Sequence, residues 1–120
     1  AAKGGITATN PSQWASFTRD IDAANNSTVV LVMDKTPSAF SSAAEANYFR
    51  AILSKYVEQG KKVFVISCGS TSYWTSTKDG VRYINLPDLW KADGTVNPNY
   101  KMLRFRVKDG AVTYEAVHIK

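Results

Sequence analysis

The sequence predicts an α/β fold in which a βαβ unit with parallel strands is followed by antiparallel hairpins, with helices packed on the sheet. Two apolar, β-branched runs at 28–33 and 62–67 flank one amphipathic helical pattern, an order typical of a βαβ unit. Beyond residue 70, apolar and polar residues alternate around two Asp-Gly pairs, which indicates hairpins. The 120 residues are the length of one domain, so we interpret 1–120 as a single domain and as a fragment or module of a larger protein.

A first helix is predicted to begin with Asn10 as its cap and Pro11 in its first position. Its apolar residues recur at helical spacing: Trp14, Phe17, Ile21 and Ala24. The polar residues 25–27 end this helix. The strand at 28–33 then carries apolar side chains on both faces, so we expect both of its faces to be buried.

A second helix is predicted over 42–59, with Ser42 and Glu45 as a capping box and Gly60 just beyond its end. Its apolar stripe consists of Phe49, Ile52, Leu53, Tyr56 and Val57. Because a helix connects them, the strands at 28–33 and 62–67 should be parallel neighbours joined by a right-handed crossover.

The second half is predicted to be antiparallel β structure. Asp79-Gly80 indicates a turn, and Asp109-Gly110 has the composition of a two-residue type I′ turn. The connector 87–100 contains prolines and a glycine and should be a surface loop, which Trp90 tethers to the core.

Composition narrows the function classes. The net charge is +5, but no run of five like charges occurs, so we expect no nucleic-acid partner. One cysteine and one histidine exclude an intrachain disulfide and a thiol-rich metal cluster. No apolar run is long enough to span a membrane, and residues 1–10 lack the apolar core of a signal peptide. This leaves a cytoplasmic location or a targeting segment outside the given sequence.

Polar residues follow both predicted parallel strands, at the edge where ligands gather in open α/β sheets. These candidates for a ligand-contact cleft are Asp34, Lys35, Thr36, Cys68, Ser70 and Thr71. The set contains one carboxylate and no histidine, whereas hydrolytic chemistry needs a paired base or a metal with several ligands. We therefore expect no catalytic residue, no metal site and no cofactor here.

Several of these residues also have a structural interpretation. Asp34 is typical of a turn residue that accepts backbone hydrogen bonds, Cys68 of a small buried side chain, and His118 of an edge-strand residue. Tyr73 and Trp74 form either an aromatic contact for a glycan or protein, or core packing beneath the loop. Since neighbouring side chains of an extended segment point to opposite faces, we expect one ring in and one out, with Trp74 buried.

Four segments, "VVLVMDKTP", "KKVFVISCGST", "KDGVRYINL" and "RFRVKDGAVTYEA", occur in an order and at spacings that resemble the C-terminal half of a calcineurin-like metallophosphoesterase. The resemblance extends from Trp14 to the C-terminus. In that family the first strand ends in His-x-x-Pro and the second in Gly-His-x-His, and these histidines bind the metals. Here Asp34 occupies the first histidine position, and "CGST" replaces the second motif.

The resemblance therefore implies a degenerate active site, with at most Asp34 retained as a ligand. It implies a non-catalytic accessory module of a larger, bacterial, extracellular or cell-surface protein, serving packing or ligand contact with other domains of that protein. Two alternatives stay open. One is a fragment of a metal-dependent phosphoesterase whose other half supplies the missing ligands. The other is a carbohydrate-binding module built on Tyr73, Trp74 and Lys78.

Overall fold

The computed structural model describes residues 5–23, 28–34, 36–70, 72–108 and 111–118. In chain order the elements are α1 (Ile6–Thr9), α2 (Gln13–Ala23), β1 (Thr28–Met33), a 3₁₀ turn (Pro37–Ala39), α3 (Ala43–Glu58), β2 (Lys62–Ser70), β3 (Trp74–Lys78), β4 (Val81–Pro87), β5 (Lys101–Lys108) and β6 (Ala111–His118). The predicted mixed α/β architecture is confirmed.

The main sheet has four strands in the order β1-β2-β4-β3. β1 and β2 are parallel neighbours with Val30 opposite Phe64, so the predicted βαβ unit is confirmed. β4 also pairs with β2 in parallel, and β3 pairs with β4 in an antiparallel hairpin. The sequence predicted this hairpin but not its insertion beside β2.

α3 covers one face of the sheet and supplies the centre of the core. Phe49, Leu53 and Tyr56 are 1%, 0% and 4% exposed. The helix ends as predicted: the Gly60 N–H donates to Val57 O, and the Lys61 N–H donates to Tyr56 O. This pair of bonds is a Schellman motif, with Gly60 at φ 89° in the left-handed region.

The hairpin of β5 and β6 packs on the opposite face. Phe64 of β2 makes edge-on ring contacts with Phe105 and Tyr114, at centroid distances of 5.4 and 6.1 Å. The main sheet is therefore layered between α3 and a second, two-stranded sheet.

The prediction that β1 is buried on both faces is wrong. Val29 and Met33 are 8% and 9% exposed, whereas Val30 and Val32 on the other face are 43% and 77% exposed. β1 is an edge strand, and the aromatic contacts of the hairpin are made to Phe64 on the neighbouring strand. One face of β1 is left open to solvent.

The N-terminal caps differ from the prediction. α2 begins at Gln13 rather than Pro11, because the Asn10 carboxamide oxygen accepts the N–H and hydroxyl of Ser12 and holds 10–12 in a turn. Only half of the second capping box forms. The Glu45 N–H donates to Ser42 Oγ, but the Glu45 carboxylate turns outward to accept the backbone N–H of Ile6.

The two loops of the second half differ in how well the sequence predicted them. Asp79 and Gly80 have φ of 51° and 78°, as a type I′ turn requires. In the connector Trp90 is 60% exposed and does not tether it to the core. Asn97, 4% exposed, holds the connector instead by donating from Nδ2 to Asp88 O at 3.0 Å. Asp109-Gly110 lies outside the described residues.

No helix in the described ranges is long and apolar enough to cross a membrane.

Candidate functional site at the strand ends

Three parallel strands, β1, β2 and β4, end at one edge of the main sheet. Asp34 follows β1 directly, Asp88 follows β4, and Cys68 lies near the end of β2. Both carboxylates are close enough to act on the Cys68 thiol. The predicted convergence of Asp34 and Cys68 is present, and Asp88 is an additional acidic member.

Cys68 is exposed, in contrast to the buried position expected from the sequence. β2 extends to Ser70, and strand alternation places Cys68 on the opposite face from Ser67, which is 1% exposed. Partial burial, followed by the charges of Asp88 and Asp34, raises the pKa of the Cys68 thiol. Each of these effects disfavours the thiolate, which is the nucleophilic form of cysteine.

A buried polar pair fixes the strand ends beneath this edge. The Ser67 hydroxyl donates to Asn85 Oδ1 at 3.0 Å, joining β2 to β4. Asn85 Nδ2 donates to the backbone oxygen of Ser72 at 3.0 Å and so holds the start of the following segment. Both side chains are satisfied where they are buried, which identifies them as structural residues of this edge.

The other predicted cleft residues are placed differently. Ser70 belongs to β2 and pairs with Pro87, while Lys35 and Thr71 lie outside the described residues. Thr36 turns to the helix side of the sheet, where its hydroxyl lies 2.7 Å from that of Ser38.

There Thr36 contributes to a second concavity, which we call the β3 groove. It is lined by Thr36, Ser38, Arg50, Trp74, Lys78 and Tyr83, among others, and has a volume of about 230 Å³. The predicted cleft is thus divided between the strand ends and this groove.

Tyr73 and Trp74 lie in different surroundings. The Lys101 ammonium sits 5.8 Å from the centre of the Tyr73 ring, next to the hairpin. Trp74 is half-buried, packs against the core on the helix side and lines the β3 groove. Each ring therefore contributes to a different surface, but both are half-buried, so the prediction of one buried and one exposed ring is wrong.

The strand-end donors do not fit the two-metal centre that the resemblance implies for intact family members. That centre needs several histidines, whereas the described residues of this edge supply the carboxylates of Asp34 and Asp88 and the Cys68 thiol. Within the described part of the chain, no three His, Cys, Asp or Glu residues are grouped so as to hold a metal ion.

Sequence reasoning missed Asp88, Arg50 and Tyr83. Asp88 follows the end of β4 as Asp34 follows the end of β1, so the same pattern could have identified it. It was missed because β4 was not predicted to be a third parallel strand. Arg50 and Tyr83 meet through tertiary packing that no local pattern indicates.

No family model matches the chain, and neither a curated protein nor a solved structure is significantly similar to it.

Proposed function

We propose that this chain is a non-catalytic, metallophosphoesterase-like module of a larger extracellular or cell-surface protein, serving contact rather than chemistry. The observation that carries the proposal is the donor set at the shared edge of β1, β2 and β4. Asp34 and Asp88 flank a thiol whose pKa is raised, and no imidazole accompanies them among the described residues. The described residues of this edge therefore support neither a nucleophile paired with a base nor a set of metal ligands.

The open face of β1 supports the contact role. Val30 and Val32 project from a strand whose residues 28–33 carry no charge. Edge strands of free-standing domains are usually protected by charge, proline or a bulge, and β1 has none of these. A neighbouring domain of the same protein packed on this face would bury both valines.

Metal binding tests the non-catalytic assignment. Isothermal titration with Mn²⁺ and with Zn²⁺ should detect no site that depends on Asp34, and the chain should not hydrolyse a model phosphodiester. The variants are Asp34→Ala and, as a remote control on α2, Asp20→Ala. Micromolar affinity that is lost only in Asp34→Ala, together with hydrolysis, would support the alternative of a phosphoesterase fragment and refute this proposal.

Hydrogen exchange tests the packing role. The amides of β1 that point away from β2 should exchange faster in this chain alone than in the parent protein. Equal exchange in the two, with Val30 and Val32 accessible in both, would show that β1 is not a packing surface.

A further inference from the structure

The β3 groove has the chemistry of a small-ligand site and lies apart from the strand-end edge. Trp74 and Lys78 point to one face of β3, since they are four residues apart in a strand. Tyr83, on the neighbouring β4, and Arg50, on α3, complete its walls. Its volume of about 230 Å³ is below the roughly 300–1,000 Å³ typical of drug-sized ligands, so it suits a molecule of one ring.

Two cations face the groove, and no acidic side chain is among the described residues that line it. No ion pair involves Arg50 or Lys78 among the described residues, and the one side-chain bond of Arg50 runs to Asn47 Oδ1 at 3.4 Å. Asp79, in the turn after β3, is near enough for its charge to act on Tyr83. It is not among the residues that line the groove. The lining therefore favours an anion.

Tyr83 is the buried polar group of the groove. It is 6% exposed, and its hydroxyl has no hydrogen-bond partner within the described residues. No fully buried side-chain oxygen in those residues is unpartnered, so this hydroxyl keeps some accessible surface, and Tyr83 lines the groove. Burial raises the pKa of Tyr83, the Arg50 charge lowers it, and Asp79 raises it. Arg50 and Tyr83 line the same groove, so one ligand can contact both.

Trp74 and the hydroxyls add a different chemistry. The half-buried indole offers a flat apolar face, and Thr36 and Ser38 present hydroxyls that both donate and accept. An anion alone would use the cations and leave the indole face without a contact. A sugar ring has an apolar face for the indole and hydroxyls for Thr36 and Ser38.

We propose that the β3 groove binds a monosaccharide that carries a carboxylate, such as a uronic acid. Arg50 and Lys78 hold the carboxylate, Tyr83 donates to it or to an adjacent hydroxyl, and the ring lies on Trp74. This site does not include the strand-end residues. A result that rules out sugar binding in the groove can therefore be told apart from a result that rules out the non-catalytic assignment.

The test is a titration followed by ¹H–¹⁵N NMR, with the indole N–H of Trp74 as reporter. Sodium glucuronate should shift that signal saturably, with glucose and inorganic phosphate each binding at least about ten-fold more weakly, the equivalent of one charge-assisted hydrogen bond. Arg50→Gln, Lys78→Gln and Tyr83→Phe should each weaken glucuronate binding. Their matched controls Arg106→Gln and Lys108→Gln, on the hairpin, should bind as the parent does.

Each contrary result overturns the proposal. Phosphate binding as tightly as glucuronate would indicate a simple anion site, and glucose binding as tightly would remove the role of the carboxylate. Binding unchanged in Arg50→Gln and Lys78→Gln would place the ligand elsewhere. No shift of Trp74 with glucuronate would show that no such site exists. The amide spectra of all variants establish that each is folded.

Discussion

The phenol hydroxyl of Tyr56 donates a hydrogen bond of 2.7 Å to Oδ1 of Asp22, joining α3 to α2 across 34 residues of sequence. Tyr56 is 4% exposed, so its ring belongs to the core while its hydroxyl reaches the rim of the helical layer. The predicted stripe of α3 accounted for the burial of this ring. The bond to Asp22 also fixes the orientation of the buried ring, because a hydrogen bond to a carboxylate is geometrically specific.

Removing this hydroxyl should destabilise the protein. Tyr56→Phe keeps the ring and is expected to lower the free energy of unfolding by about 1–2 kcal/mol, since it removes a hydrogen bond to a charged group. Urea denaturation measures the change. Tyr48→Phe is the matched control, because Tyr48 is on the same helix and 60% exposed. Equal stability of the two variants would mean that the bond contributes nothing measurable.

The same bond predicts a dependence on alkaline pH. Burial, then the hydrogen bond to Asp22 and its charge, raise the pKa of Tyr56 from 10.0 to about 12. The folded state therefore keeps the phenol proton longer than the unfolded state does. The stabilisation of the folded state by this bond is complete below pH 10.0 and is lost as the pH rises toward about 12. The difference in unfolding free energy between the parent and Tyr56→Phe should shrink over this range, and a constant difference would contradict it.

Glu45 should hold the N-terminal segment in place. Its Oε1 accepts the backbone N–H of Ile6 at 2.6 Å and of Thr7 at 3.1 Å. Glu45→Ala is expected to lower stability by about 1–2 kcal/mol and to speed amide exchange at both positions, because two donors lose their acceptor. Glu58→Ala, at the other end of α3, is the control. Unchanged exchange at Ile6 and Thr7 would show that the segment is held by packing alone.

Gly80, in the turn between β3 and β4, and Gly94, in the connector between β4 and β5, form a matched pair of glycines. Gly80 and Gly94 both have positive φ, 78° and 83°, but a Cβ at Gly80 would lie 2.6 Å from Val57 Cγ1, whereas one at Gly94 would meet nothing within 4 Å. Gly94→Ala should cost about 1 kcal/mol from backbone strain alone. Gly80→Ala should cost more, as it must also displace Val57 from its contact. Thermal melts that place the two variants at the same Tm would show that Val57 adjusts freely.

The elements that the sequence predicted correctly are those whose signal is local. The stripe of α3, Gly60 beyond its end and the turn at Asp79-Gly80 each depend on neighbours within a few residues. The pairing of β1 with β2 followed because one helix connects them. The fold class could be read from these elements alone.

The errors arose where position depends on distant parts of the chain. The apolar run at β1 has the composition of a strand buried on two faces, but exposure of Val32 depends on where the hairpin packs. Glu45 fits a capping box, yet its carboxylate serves Ile6, which is 39 residues away. The β3 groove joins Arg50 to Tyr83 across two layers, and no spacing along the sequence indicates that they meet.

The two faces of the main sheet should respond differently to truncation. Leu53, 0% exposed, packs from α3 onto the covered face, whereas Val32 on the open face of β1 is 77% exposed. Leu53→Ala is expected to cost about 2–5 kcal/mol, because it removes apolar contacts and leaves a cavity. Val32→Ala should change stability by no more than about 0.5 kcal/mol, as for other exposed positions. Urea denaturation of the chain alone measures both. A large loss in Val32→Ala would mean that this face is already covered in the isolated chain, and it would then have no free surface for a neighbouring domain.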